Sequence, residues 1–222
     1  ISTSPIKISV LVHKDHAVEA LRTLHQVFSL QTAPTEKEAL VQERPEAPEP
    51  AAAADLLAHL QGMEELIIDD VTLDQTQSRI TIVGVPDTPG LASQVFQEIA
   101  DGGIVVDMIV QSFGRQGHAN LSFTVPRTDL DGGLKIAADL AQRLGCPPPT
   151  SCEKVARLSV YGVGMRSHTG VASRMFNSLS EAGINVDMIS TSEVQVSVVV
   201  DDAAGEEALR VLRKEFADLM IE

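Results

Sequence analysis

Residues 90–109 read GLASQVFQEIADGGIVVDMI, and residues 170–189 read GVASRMFNSLSEAGINVDMI. Ten of these twenty positions are identical at a constant offset of 80 and without a gap. Gly90, Ala92, Ser93, Phe96, Gly103, Ile104, Val106, Asp107, Met108 and Ile109 return as Gly170, Ala172, Ser173, Phe176, Gly183, Ile184, Val186, Asp187, Met188 and Ile189. Self-similarity at a fixed spacing marks a supersecondary unit used more than once, so it fixes the architecture before any single element is assigned.

Working outward from the first copy, Ile80 to Val85 is a short, mostly apolar run of strand type. Asp87, Thr88, Pro89 and Gly90 make a turn, and Leu91, Ala92, Val95, Phe96 and Ile99 then recur at helical spacing until Gly102 and Gly103 end the helix. Ile104 to Val110 and Asn120 to Val125 read as two further strands, and Leu134, Ala137, Ala138 and Ala141 share one face of a second helix. The second copy repeats this order. Arg157 to Val163 is its first strand, Val171, Ala172, Met175, Phe176 and Leu179 its helical stripe, and Val186 to Ser190 its next strand. Val194, Val196, Val198 and Val200 alternate along the third, as in a strand with one face under helices, and Ala208, Leu209, Leu212 and Phe216 mark the last helix. The expected fold is α+β: ferredoxin-like βαββαβ modules whose antiparallel sheets carry their helices on one face.

A second repeat runs at an offset of 188. Ile1, Ser2, Thr3 and Ser4 return as Ile189, Ser190, Thr191 and Ser192, and Glu19, Ala20, Leu21, Arg22, Leu24 and Phe28 as Glu207, Ala208, Leu209, Arg210, Leu212 and Phe216. Residues 1–30 are therefore expected to be the C-terminal half of an upstream module. Lacking a first strand and first helix, they are expected to pair with another chain or to be poorly ordered. Residues 31–63, with Pro34, Pro45, Pro48, Pro50 and the run Ala51 to Ala54, have linker composition, with a short helix expected at Asp55 to Gln61. Residues 64–74 contain a separate strand candidate, Glu65 to Leu73. Residues 78–150 and 152–222 are the two complete modules.

The 222 residues carry a formal charge of −14, which opposes binding to phosphate backbones and excludes nucleic acid as an expected partner. No apolar stretch approaches the roughly 20 residues that cross a bilayer, and no leader pattern opens the sequence, so no membrane partner and a cytoplasmic location are expected. Cys146 and Cys152 flank Pro147, Pro148 and Pro149 without nearby histidines, which makes no zinc site. A disulfide between them is sterically conceivable; reduced thiols are the expectation.

Val83 to Gly90, Val106 to Gln111, Gly164 to Thr169 and Ile189 to Glu193 together resemble the C-terminal regulatory region of aspartokinases, which is built of paired ACT domains. The resemblance spans the chain outside the linker, and the Met165 to Ala172 stretch and the Ile-Ser-Thr-Ser run are its most specific parts. It implies that one module is inserted into the other, that 64–74 supplies an edge strand to the last module, and that a protein with two such pairs lies behind the half module at 1–30. It also implies an upstream kinase domain, a homodimer assembled through the ACT sheets, no cofactor, and an amino-acid effector, lysine and/or threonine, for feedback control of aspartate phosphorylation. The chain itself is then not an enzyme. Its Gly132, Gly133 and Lys135 do not match a phosphate-binding loop, and no spacing suggests a catalytic triad.

An amino-acid effector presents a carboxylate and an ammonium group side by side. Backbone N–H groups of Gly90, Leu91 and Ala92 at a helix start suit the carboxylate, Asp87 and Asp107 suit the ammonium, and Gln111 adds a hydrogen bond. With the resemblance, the effector set becomes Asp87, Pro89, Gly90, Leu91, Ala92, Val106, Asp107 and Gln111 in the first module. In the second it becomes Ser167, His168, Gly170, Val171, Asn185, Val186 and Asp187. Asp87 has a plainer reading as a helix cap, and Arg166 and His168 as structural loop residues. Thr191, Ser192 and Glu193 read equally well as ligand or subunit contacts and as a polar strand connection. The first module has Val105 where the family commonly has Asn, and Ser112 replaces another frequent Asn, which removes polar groups near the expected ligand. A ligand-free dimerisation scaffold is the alternative function.

Overall fold

The structure, a computed structural model, describes residues 2–4, 7–30, 66–112, 117–165, 168 and 170–220. The expected linker at 31–63, with its short helix, lies outside the described residues, as do Arg166, Ser167 and Thr169. Two compact units are present, one of residues 1–9 and 65–222, the other of residues 10–64.

In the larger unit the strands are β1 (Ser2–Ser4), β2 (Lys7–Ser9), β3 (Ile67–Pro86), β4 (Ile109–Ser112), β5 (His118–Pro126), β6 (Thr150–Val163), β7 (Met188–Thr191) and β8 (Gln195–Asp201). Its helices, numbered after α1 (Ala17–Val27) of the smaller unit, are α2 (Leu91–Asp101), α3 (Leu130–Leu144), α4 (Val171–Glu181) and α5 (Gly205–Glu215). Among the described residues the strands form one sheet in the order β2-β1-β4-β5-β3-β6-β8-β7, antiparallel at every junction.

The sequence places Glu65–Leu73 and Ile80–Val85 in separate strands; Ile67 to Leu73 and Ile80 to Val85 are parts of the single 20-residue strand β3. Its first part pairs with the second part of β6 (Ile67 opposite Val163, Asp74 opposite Arg157), and its second part pairs with β5 (Gln77 opposite Pro126, Pro86 opposite His118). The two parts are joined through a register shift between Asp74 and Gln77. Asp74 holds that irregularity by accepting from the Thr76 N–H (2.8 Å) and the Thr76 hydroxyl (2.6 Å). The modules thus exchange strands: β4-β5-β3-β6 is the sheet of one, and β7-β8-β6-β3 the sheet of the other.

The repeated sequence makes repeated local structure. In both copies a left-handed glycine opens the helix (Gly90 φ 91°, Gly170 φ 113°) and a second ends it (Gly103 and Gly183, φ 72°). The following isoleucine then donates its N–H back to the last turn, Ile104 to Ile99 (3.2 Å) and Ile184 to Leu179 (2.9 Å). That is the chain reversal that glycine at a helix C-terminus permits. The second strands begin later than the sequence suggests: residues 104–108 and 186–187 are not in strands, and β4 and β7 start at Ile109 and Met188.

Each module buries its own apolar core between sheet and helices. Ile80, Ile82, Phe123, Val95, Ile99 and Leu140 centre the first, and Ile68, Val71, Leu158, Val198, Met175 and Phe216 the second. The alternation from Val194 to Val200 suggested one buried face for β8, yet the whole run Gln195–Val200 is buried. Val196, Val198 and Val200 face the helices, while Val199 joins Met108, Val155 and Met188 in a third cluster. Ser159, Ser197 and Gln195 are satisfied there by one another: Gln195 Nε2 donates to Ser197 Oγ (2.6 Å) and Ser159 Oγ (3.1 Å).

Residues 1–30 were expected to pair with another chain or to be poorly ordered. Instead β1 and β2 form a hairpin and Ser2 lies opposite Val110 of β4 in the same chain. Without β1 the outer edge of β4 would carry unpaired backbone groups, and an added strand is the general way to satisfy them. In the smaller unit, α1 is an amphipathic helix with no buried residue; Val18, Leu21, Leu24 and Phe28 are all exposed.

Burial raises the pKa of Asp74, but the Thr76 hydroxyl and N–H and the nearby Arg157 outweigh it and hold its carboxyl below the ordinary 3.8. A carboxylate with a depressed folded pKa adds stability above its unfolded pKa and loses it as pH falls through the folded value. Asp74→Asn should therefore denature at lower urea than the parent at pH 7, with the gap closing as pH falls through the lowered carboxyl pKa. A glycine pair tests the strand exchange. A Cβ on Gly162 would come within 2.3 Å of the Ile67 carbonyl oxygen, whereas one on Gly132 meets only Ile104 Cδ1 at 3.5 Å. Gly162→Ala should cost about 1–3 kcal/mol by overpacking. Gly132→Ala in α3 should be neutral or stabilise by about 0.5–1 kcal/mol, read from denaturant midpoints.

Candidate functional site

The first module has a cavity of about 190 Å³ at the junction of β3 and α2. Val85, Pro86 and Leu121 form its apolar wall, the turn from Thr88 through Pro89 and Gly90 to Leu91 and Ala92 its rim, and Gln111 of β4 its polar side chain. The turn is tight. Thr88 N–H donates to the Pro86 carbonyl (3.0 Å), and Leu91 N–H to the Thr88 carbonyl (3.3 Å). Gly90 occupies the N-terminal cap position of α2 with no side-chain hydrogen bond, and the first turn holds no acidic residue. The first turn thus sets no acidic side chain against the positive end of the helix dipole, and a carboxylate placed there is stabilised.

Of the first-module residues singled out by sequence, Pro89, Gly90, Leu91, Ala92 and Gln111 come together around this cavity. The Leu91 N–H is already engaged by Thr88, which leaves it a weaker ligand donor than its position suggests. Asp87, Val106 and Asp107 do not line it. Asp87 is exposed on the turn, where its N–H donates to the Gly117 carbonyl (2.8 Å). Val106 packs on the first core. Asp107 is ion-paired to Arg157 of β6, which also reaches Asp74 at 3.3 Å.

The second-module residues are more dispersed. Ser167 lies outside the described residues. His168 is tied to its own loop: its N–H donates to the Gly164 carbonyl (3.1 Å), and Nδ1 lies 3.0 Å from the same oxygen. Gly170 caps α4, Val171 is buried in the second core and Val186 packs against it. Asn185 is exposed and donates from Nδ2 to Asp187 (3.2 Å), whose carboxylate also meets Arg79 (2.7 Å). Ser192 closes the β7–β8 connection through its N–H to the Gln195 carbonyl (2.8 Å).

Sequence reasoning did not select Val85, Pro86, Thr88 and Leu121 as cavity residues, nor Arg79 and Arg157 as partners of Asp187 and Asp107. A signal for the arginines existed: each is a lone charge beside an apolar run, Arg79 before Ile80 and Arg157 before Leu158. Both cysteines are free thiols, and burial pushes the Cys146 thiol up from its ordinary pKa. Among the described residues there is no cluster of metal-ligating side chains and no helix long and apolar enough to cross a membrane.

A family model described as ACT domain matches residues 80–139 and 158–216. The aspartate kinase of Pseudomonas fluorescens is 42% identical over 156 residues, which are 70% of this chain but 38% of that protein. The chain therefore spans well under half the length of the relatives it matches. Among solved structures, the ligand-free regulatory subunit of aspartate kinase from Thermus thermophilus is 34% identical with a TM-score of 0.63, covering 67% of this chain and 98% of that one. The aspartate kinase from Synechocystis is 30% identical with a TM-score of 0.76 over 97% of this chain and 34% of its own. With two repeats of the βαββαβ order, a cavity at the helix start of the first, and relatives that match over their regulatory part, the chain belongs to the ACT domain family as an aspartokinase regulatory region.

Proposed function

We propose that this region senses an amino acid, lysine and/or threonine, in the first-module cavity and thereby sets the activity of a kinase domain of the parent protein, an ATP-dependent aspartate kinase. The observation that carries the reading is that an uncapped helix start at Gly90 and a polar side chain, Gln111, line the same apolar-walled cavity. The helix end takes the carboxylate and Gln111 hydrogen-bonds the polar end of the ligand. With Asp107 held by Arg157, the ammonium group falls to Gln111 and to backbone carbonyls of the turn rather than to an acidic side chain.

Control follows from differential binding: the effector shifts activity only to the extent that it binds the inhibited arrangement more tightly than the active one. Residues 1–30 are the C-terminal half of an upstream ACT module in this reading, since α1 repeats the Ala208, Leu209, Leu212 and Phe216 stripe of α5 as Ala20, Leu21, Leu24 and Phe28. The parent would then carry two ACT pairs, assemble as a homodimer through its sheets, and work in the cytoplasm.

A second reading, a scaffold that has lost its ligand, is favoured by Val105. It stands where the second module has Asn185 and is 68% exposed, leaving an apolar surface at a position where the family commonly places an amide.

Titration calorimetry of the chain with lysine and with threonine separates the two. Sensing predicts saturable heat with at least one of them, weakened about tenfold in Gln111→Ala by loss of a hydrogen bond to a charged group. Absence of heat from both amino acids, with the fold intact by circular dichroism, favours the scaffold.

A further inference from the structure

Two ion pairs in this chain are the same ion pair seen from opposite sides. Arg79, on the first strand of the first module, meets Asp187 at the foot of β7 in the second (2.7 Å); Arg157, on the first strand of the second module, meets Asp107 at the foot of β4 in the first. The registers match as well. Arg79 lies opposite Thr124 of β5, whose carbonyl accepts the Asp107 N–H (3.1 Å). Arg157 lies opposite Val199 of β8, whose carbonyl accepts the Asp187 N–H (2.8 Å). Each arginine is thus two strands away from the aspartate of its own module, roughly 10 Å at ordinary strand spacing, and pairs with the aspartate of the other.

We propose that Arg79 and Arg157 are positioning residues acting across the module boundary: each fixes the strand that follows the other module's first helix. For the first module the consequence for ligand binding rests on reading its cavity as the effector site, because β4 begins two residues after Asp107 and carries Gln111. The bracing itself rests on geometry alone. None of the four side chains is more than about one-third exposed, at 27% and 30% for Arg79 and Asp187 and 20% and 31% for Arg157 and Asp107, so water screens the pairs only in part. The third cluster, Met108, Val155, Met188 and Val199, places a methionine next to each aspartate in one apolar contact. The feet of β4 and β7 are thereby brought together.

The two braces are not equal. Asp187 has a local partner in Asn185, while Arg157 divides itself between Asp107 and Asp74. Loss of Arg79 therefore leaves Asp187 with one hydrogen-bonding neighbour, whereas loss of Arg157 removes the cation from two carboxylates at once.

Hydrogen–deuterium exchange of the whole chain, read peptide by peptide in the parent, Arg79→Gln and Arg157→Gln, tests this. The expected result is crosswise. Arg79→Gln speeds exchange about tenfold at Asp187 and β7 and leaves β4 unchanged; Arg157→Gln does the same at Asp107 and β4 and leaves β7 unchanged. Acceleration confined to the mutated module, equal acceleration in both, or no change overturns the proposal. Should Arg157→Gln fail to fold, the Arg79 arm decides alone. There the exchanged pair Arg79→Asp with Asp187→Arg is expected to restore slow exchange at β7, which a merely disruptive substitution would not. The calorimetric arm is separate. Arg157→Gln is expected to weaken amino-acid binding in the first module about threefold or more, and Arg79→Gln to leave it within twofold. If the parent binds neither lysine nor threonine, the sensing reading fails while the exchange pattern still decides the bracing.

Discussion

The ladder between β3 and β6 is the constraint on which the rest of this regulatory region depends. Both strands run through both modules, so the fourth strand of each sheet is an extension of the other module's first strand. A ferredoxin-like module without its fourth strand leaves a central strand as an open edge and uncovers part of the core beneath it. Here Ile68 and Val71 are fully buried in the second core although they precede the first module in sequence. Burying two such side chains is worth roughly 1.5–3 kcal/mol each. The second module therefore cannot be excised as a continuous segment without losing the strand at residues 67–74, because the first module, from Gln77 to the start of β6, is inserted between that strand and the rest.

The sheet is consequently more than a floor for helices. Once the strands are shared, the faces turned away from the helices close on each other around Met108, Met188, Val155 and Val199, with a hydroxyl and amide network at Ser159, Ser197 and Gln195. Thr81 and Ser122 make a corresponding cross-strand hydroxyl pair at 2.9 Å in the first module. Buried polar groups on this face are tolerated because they satisfy one another. The result is a middle layer between two apolar cores in which an apolar cluster lies beside hydroxyl and amide groups hydrogen-bonded between neighbouring strands.

Module identity, helix positions and the turn at Thr88 to Ala92 were legible in the sequence because each depends on local pattern: glycines at helix ends, apolar residues at helical spacing, and repetition of both. The ACT resemblance and the cavity-lining part of the candidate site followed from the same stretch. What escaped was non-local. A run such as Gln75 to Arg79 looks like a break between strands, and only the ladder to β6 carries the strand through it. The alternation of β8 predicted one buried face because the second is covered by distant residues that local periodicity does not encode. Asp107 and Asp187 were read as ligand groups for the same reason. An acidic residue after a repeated Gly-Ile-x-Val motif suggests chemistry, and its arginine partner sits in the other module, about 50 residues away for Arg157 and 108 for Arg79.

The two modules also divide their roles by what surrounds these aspartates. In the second, Asn185 and Arg79 bind the two oxygens of Asp187, and the loop at His168 is tied back to Gly164, so polar groups that could meet a ligand are spent on the protein. In the first, Val105 offers no such bond and Asp107 is ion-paired to Arg157 of the neighbouring module, while the helix start at Gly90 has no side-chain cap and no acidic residue in its first turn. A site needs unspent polar groups beside apolar walls, and the first-module turn combines them. The strand bearing Gln111 is held from outside its own module. In the sensing reading, ligand capture and inter-module contact are then one mechanical linkage, because a change at β4 is a change in what Arg157 can hold.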